Sequence, residues 1–266
     1  MPPVLVLYRA AVDYPWDALA LIVFGICWLG YEPFLRMISK KSGLITKDLS
    51  VVRMAWMKEA TQRGLKLFDS NLIGHAVNSA SNFSSANLLL IAAVAGVLFS
   101  GHLPFSAVKS LGFDVPTQLL FQLKLALVVV CLTRGLLNFI WALRQMNYCA
   151  AALGSLPEAM DEASSAQYAD ALSDILEPAM SNFSQGVRGY YFSLASAAWL
   201  FGPEALIIAS LGAIVLLGWR QSRSQAARGL RRLRELLETH PERMQAIAAA
   251  QNSDKNIAAH NQENRL

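Results

Sequence analysis

The chain has 266 residues, 54% of them hydrophobic and 16% charged, with a net charge of +4. Soluble domains average roughly 45–50% apolar and 25% charged residues, so the composition argues against an ordinary soluble globule and for a membrane protein. The positive excess is modest and lies in two blocks, which leaves a nucleic-acid binder without the continuous basic face it needs.

Cys27, Cys131 and Cys149 sit in or beside apolar runs without metal-ligand spacing and are expected to be buried free thiols. No secretory signal peptide is read: MPPVLVLYR is too short, and no small-residue cleavage site follows residues 18–31. The first crossing is expected at about Asp17 to Ile38, with Glu32 and Pro33 near its far end and Arg36, Lys40 and Lys41 at or just beyond it. A basic flank marks the cytoplasmic side. The N-terminus is therefore expected outside and the basic loop 39–75 inside. In that loop Val51, Val52, Met54, Ala55, Leu65, Leu67 and Phe68 are spaced as one face of an interfacial helix, with Trp56 as its headgroup anchor.

A second crossing is predicted from about Ala76 to Ser100, Ser- and Asn-rich in its first half and apolar in its second. The connection 101–117 carries little positive charge and fits the outside. A third segment is helical from Gln118 to Leu153, with Lys124, Arg134 and Arg144 at intervals of ten residues. With Lys124 and Arg144 snorkelling to opposite interfaces roughly 30 Å apart, Arg134 falls near the midplane. Segment 155–186 holds six acidic residues and no lysine or arginine. It is expected to face water as one amphipathic helix, or as two divided by Pro178.

From Val187 to Arg220 the chain is too long for one crossing and slightly short for two. Proline lacks the amide a helix needs and restricts the residue before it, so a tight hairpin turning at Gly202-Pro203-Glu204 is predicted. Ala195, Ser196, Ala198, Gly202, Ser210 and Gly212 would permit its arms to pack closely. Charge supports the same count. Four crossings from an outside start would leave the six arginines between Arg220 and Arg234 outside, against the positive-inside preference, and a fifth returns them. Leu230, Leu233 and Leu237 then mark a basic amphipathic helix lying along anionic lipid headgroups. From Pro241 onward the sequence reads as disordered.

The segment RGYYFSLASAAWLFGP (Arg188 to Pro203), with weaker echoes in NSASNFSSANLLL (Asn78 to Leu90) and LRQMNY (Leu143 to Tyr148), resembles the family called domain of unknown function 599, polytopic membrane proteins of bacteria and plants. The similarity runs from the first hydrophobic segment to about Trp219. This chain has Val77-Asn78 where members of that family usually carry Arg-Asn. The resemblance implies architecture and supplies no activity.

Arg134 is the sharpest single feature, because a guanidinium at membrane depth costs at least about 2.5–3.5 kcal/mol on insertion scales. It is expected to mark the inside of the bundle. Asn138 and Trp141 follow it on one face, and His75, Asn78, Asn82 and Ser85 form a 3-4-3 stripe on the second segment that could meet that face. Glu32 is the nearest counter-ion by depth, and Arg188 lies toward the same side. Two readings stay open for Glu32, Asn78, Asn82, Arg134, Asn138 and Arg188. They form either a polar cavity for an anionic or zwitterionic solute, or a set of interhelical contacts with Arg134 paired to Glu32. No catalytic motif is found, no metal site is read in the acidic run 155–186, and no cofactor is expected; His75 and His102 are too far apart to share a haem iron.

The sequence thus predicts an all-α, polytopic transmembrane helical bundle with four or five crossings, the last two a hairpin, and cytoplasmic amphipathic helices. The transmembrane domain is placed at 1–220, including loop 39–75 and the acidic loop 155–186, and a basic cytoplasmic tail at 221–266. The expected setting is a bacterial inner membrane with the C-terminus in the cytoplasm. The expected role is non-enzymatic, either structural or serving a membrane-protein partner or homo-oligomer; the alternative is a small-solute carrier or channel subunit. The expected contacts are the bilayer and its anionic headgroups, with no nucleic acid.

Overall fold

Long apolar runs bounded by polar turns fold into helices wherever their backbone groups can be satisfied within the segment. The structure, a computed structural model, describes residues 13–39, 45–100, 105–106, 110, 116–158 and 160–239, without the side chains of Glu32 and residues 34–39. The helices with described bounds are α1 (Pro15–Ser39), α2 (Ile45–Gln62), α3 (Leu67–Phe99), α4 (Gln118–Gly154), α5 (Glu162–Ala197), α6 (Pro203–Ser222) and α7 (Gln225–Thr239). A short 3-10 turn, Ala198–Phe201, links α5 to α6. No strand occurs among the described residues.

Local chemistry sets the ends. Thr117 accepts a hydrogen bond from the Leu120 amide at 3.3 Å and Asp161 one from the Ser164 amide at 3.5 Å, so each caps the helix that follows. Gly202 has φ 123°, a left-handed value that favours glycine, and Pro203 takes the first position of α6, where its missing amide costs nothing. The hairpin turn therefore falls where Gly202-Pro203 predicts it.

Five long helices, α1, α3, α4, α5 and α6, run between the same two ends of the bundle. At the turn end the start of α1 meets the 3-10 turn through Asp17 and Trp199, and Phe121 and Leu125 of α4 pack on Val94 and Leu98 of α3. At the basic end Met57 and Ala60 of α2, Ile73 of α3, Cys149 and Leu153 of α4, and Leu172 and Leu176 of α5 form one apolar cluster. Thus α4 lies antiparallel to α3 and α5, while α1 and α6 run parallel, joined near their far ends by a Gln221 Nε2 to Tyr31 Oη hydrogen bond of 3.2 Å. The 37-residue α4 is about 55 Å long. That exceeds a bilayer core of about 30 Å, and its far end packs with α2, α3 and α5 in the basic-end cluster.

Several expectations change. Of the two alternatives for the acidic segment the undivided helix holds, but it does not stop there: α5 runs through Pro178 and on into the hairpin's first arm as a single helix. Buried Leu176 and Ala179 anchor both sides of the proline against neighbouring helices, and packing outweighs the lost hydrogen bond. The interfacial helix ends at Gln62, so Leu65, Leu67 and Phe68 are not on it. Trp56 is half-buried against the basic-end cluster and donates to buried Asp69 at 2.7 Å instead of facing headgroups. The tail helix α7 folds back on α2, with Arg234 3.2 Å from buried Asp48. Residues 241–266, expected to be disordered, lie outside the described residues.

Candidate functional site

The centre of the bundle is a glycine-lined crossing of α4 and α5. A Cβ on Gly189 would lie 3.1 Å from the Gly135 Cα, and one on Gly186 only 2.6 Å from the Phe139 ring. Only side-chain-free positions let the two backbones approach so closely. Phe83 stacks on Phe139 with centroids 5.8 Å apart, Phe183 and Tyr190 complete the aromatic group, and the Tyr190 hydroxyl donates to the Phe83 carbonyl at 2.8 Å.

Beside this crossing Arg134, Asn138 and Arg188 line one recess with Trp28 and Tyr31 of α1. The Arg134 guanidinium lies 5.0 Å from the Trp28 ring centroid and that of Arg188 5.4 Å from Tyr31, so each cation is set over an aromatic face. Arg134 is nevertheless exposed at the side of the bundle, and Asn138 and Arg188 are half-buried. It does not mark the interior as expected, because Gly135 and Phe139, not Arg134, take the α5-facing positions of α4. The recess holds only about 30 Å³, close to the share of one water molecule.

Asn78 and Asn82 are not brought to it. They lie with His75 and Ser85 on an exposed face of α3, and α3 meets α4 through Ala80 and Asn87 instead. Small Ala80 packs on Ala142, and Asn87 donates to the Leu132 carbonyl at 2.9 Å, so the close-packing face excludes the polar stripe. Glu32 has no described side chain.

Sequence reasoning missed the polar group at the turn end. Lys124 is fully buried instead of snorkelling to an interface. Its ammonium lies 3.8 Å from Asp17 and 5.6 Å from the Trp199 ring centroid, while the Trp199 indole donates to Asp17 at 2.6 Å. An acidic residue at the start of α1 and a lysine nearly two turns into α4 were the available signals. Nothing in their spacing joins positions more than a hundred residues apart. Arg188 also borders a second, larger recess toward the basic end.

Three helical runs, Leu67–Phe99, Gln118–Gly154 and Pro203–Thr239, are long and apolar enough to cross a bilayer. Together with the antiparallel core they define an all-α polytopic membrane protein. The chain belongs to the family described as protein of unknown function, DUF599, whose profile matches residues 19–226. No curated protein and no solved structure matches it.

Proposed function

We propose that this is a non-enzymatic integral membrane protein that crosses a bacterial inner membrane five times, N-terminus outside and C-terminus in the cytoplasm, and engages a membrane partner through α3. The observation that carries the reading is the outward stripe His75, Asn78, Asn82 and Ser85 on a membrane-length helix whose buried positions are Asp69, Ile73, Ala80 and Asn87. Amide and hydroxyl groups facing acyl chains lose their water partners, whereas a second helix offering similar groups satisfies them. The partner is therefore a transmembrane helix bearing amides or hydroxyls. The non-enzymatic reading rests on the lack of a catalytic motif, and the orientation on the positive-inside preference.

The test is a photo-crosslinking residue at position 82, compared with one at Ile208, which is also exposed but lies on apolar α6. A discrete adduct larger than the monomer at 82 and absent at 208 supports the reading. No adduct at 82, or the same adducts at both, refutes it.

A carrier is favoured by one observation: Arg134, Asn138 and Arg188 do border a common recess. That reading requires a small anion to raise the thermal stability of the detergent-solubilised protein and Arg134→Ala to abolish the gain. A broad metabolite screen without any shift removes it.

A further inference from the structure

At the basic end the start of α2, the middle of α5, the end of α6 and the start of α7 enclose a recess of about 430 Å³, within the range of small-ligand sites. Arg53, Arg188 and Arg220 line it, and no acidic residue does among the described residues. Their anchoring differs. Arg53 is held by a bidentate pair with Glu177, both bonds 2.7 Å. Arg188 is set over the Tyr31 ring, and Arg220 donates to the Tyr191 hydroxyl at 2.6 Å. Neither of these last two has a carboxylate partner among the described residues. Among the described residues these two guanidinium groups are thus oriented by aromatic side chains and not by carboxylates.

The remaining lining has two characters. Thr46, Ser181, Ser184 and Ser224 contribute hydroxyls, and Leu49, Phe183, Val187 and Leu217 contribute an apolar wall. The recess lies where the apolar run of α6 gives way to Trp219 and Arg220, the level at which an interfacial tryptophan and a basic residue mark the headgroup layer.

We infer that this recess is a binding site for a phosphate ester and that its occupant is the headgroup of an anionic phospholipid in the cytoplasmic leaflet. Arginine matches phosphate oxygens with paired donors, hydroxyls take the remaining acceptors, and the apolar wall receives the glycerol and first acyl carbons. Basic pockets between membrane helices on the cytoplasmic side hold anionic headgroups by this means. The assignment uses the five-crossing orientation proposed above but is independent of any partner on α3.

The full-length protein, purified in detergent and stripped of lipid, is titrated with phosphatidylglycerol in mixed micelles, with phosphatidylcholine, and with inorganic phosphate. Thermal unfolding and native mass spectrometry give the readouts. Phosphatidylglycerol is expected to stabilise the protein and to remain bound at one copy, with phosphatidylcholine inert. Arg188→Gln/Arg220→Gln should weaken that binding at least about tenfold, the scale of losing a paired charge-assisted contact. Arg228→Gln/Arg232→Gln removes equal charge from exposed positions of α7 outside the recess and should change it little. Arg220→Gln alone, at an exposed site, serves if the double variant does not fold. Equal weakening by both double variants, or equal binding of both lipids, overturns the site. Stabilisation by inorganic phosphate alone with the same dependence on Arg188 and Arg220 upholds the phosphate chemistry and overturns the lipid as its source.

Discussion

Gly189→Ala adds one methyl group at the α4–α5 crossing, 3.1 Å from the Gly135 Cα and 3.6 Å from its amide nitrogen. Ordinary contact begins near 3.4 Å, and the obstacle is backbone on a packed helix, so relief requires the helices to separate. Overpacking of this kind costs about 1–3 kcal/mol, while glycine to alanine in a helix gains about 0.5–1 kcal/mol. The net is a loss of up to about 2.5 kcal/mol against the parent, and of about 1–3 kcal/mol against a glycine-to-alanine change that meets no obstacle. Gly186→Ala meets the Phe139 ring at 2.6 Å and should lose a similar amount while disturbing the Phe83–Phe139 stack. Gly212→Ala meets nothing within 4 Å and serves as the control, neutral or slightly stabilising. Reversible unfolding in detergent, followed by circular dichroism, gives the three differences. A Gly189→Ala protein as stable as the Gly212→Ala control refutes the assignment of this crossing as close backbone-to-backbone packing.

The Arg53–Glu177 pair joins α2 to α5 with side chains 14% and 33% exposed, so a double-mutant cycle with Arg53→Gln and Glu177→Gln should give a coupling of about 1 kcal/mol; zero coupling removes the pair from the stability of the basic end. The Ser164 side chain and amide beside Asp161 hold its carboxyl below the ordinary carboxylate range. Because the folded value is the lower one, this contribution is complete above the unfolded pKa of about 3.9 and fades as pH falls through the folded value. The difference in melting temperature between parent and Asp161→Asn should shrink on acidification through that window, and a difference independent of pH contradicts the capping role. Cys27, Cys131 and Cys149 are all buried thiols, so a maleimide should label them only after denaturation; rapid labelling of Cys131 or Cys149 in the native protein, both fully enclosed, would show a looser core.

The helices themselves were legible because a bilayer demands long apolar segments, and Gly202-Pro203 punctuates the last of them in a way only a turn accommodates. What could not be read was the face each helix turns inward. In a soluble helix the polar side points to solvent, but lipid and core are equally apolar. Arg134 and Lys124 consequently exchanged their expected places: the first sits over Trp28 at the side of the bundle, and the second is sealed beside Asp17. The site residues divided for the same reason. Arg134, Asn138 and Arg188 gather because Gly135 and Gly189 pull α4 and α5 together, while Asn78 and Asn82 stay outward because Ala80 and Asn87 occupy the contact face of α3. In the sequence Gly135 and Gly189 look no different from Gly212, and only the geometry separates them.

The unbroken course of α5 has a structural consequence. Its 36 residues form a helix of about 54 Å, packed on both sides of Pro178 and held near its midpoint by the Arg53–Glu177 pair. One uninterrupted element therefore ties the acidic half, held at Glu177 by Arg53, to Trp199 beside the buried lysine, so the two ends of the bundle share a single helical backbone.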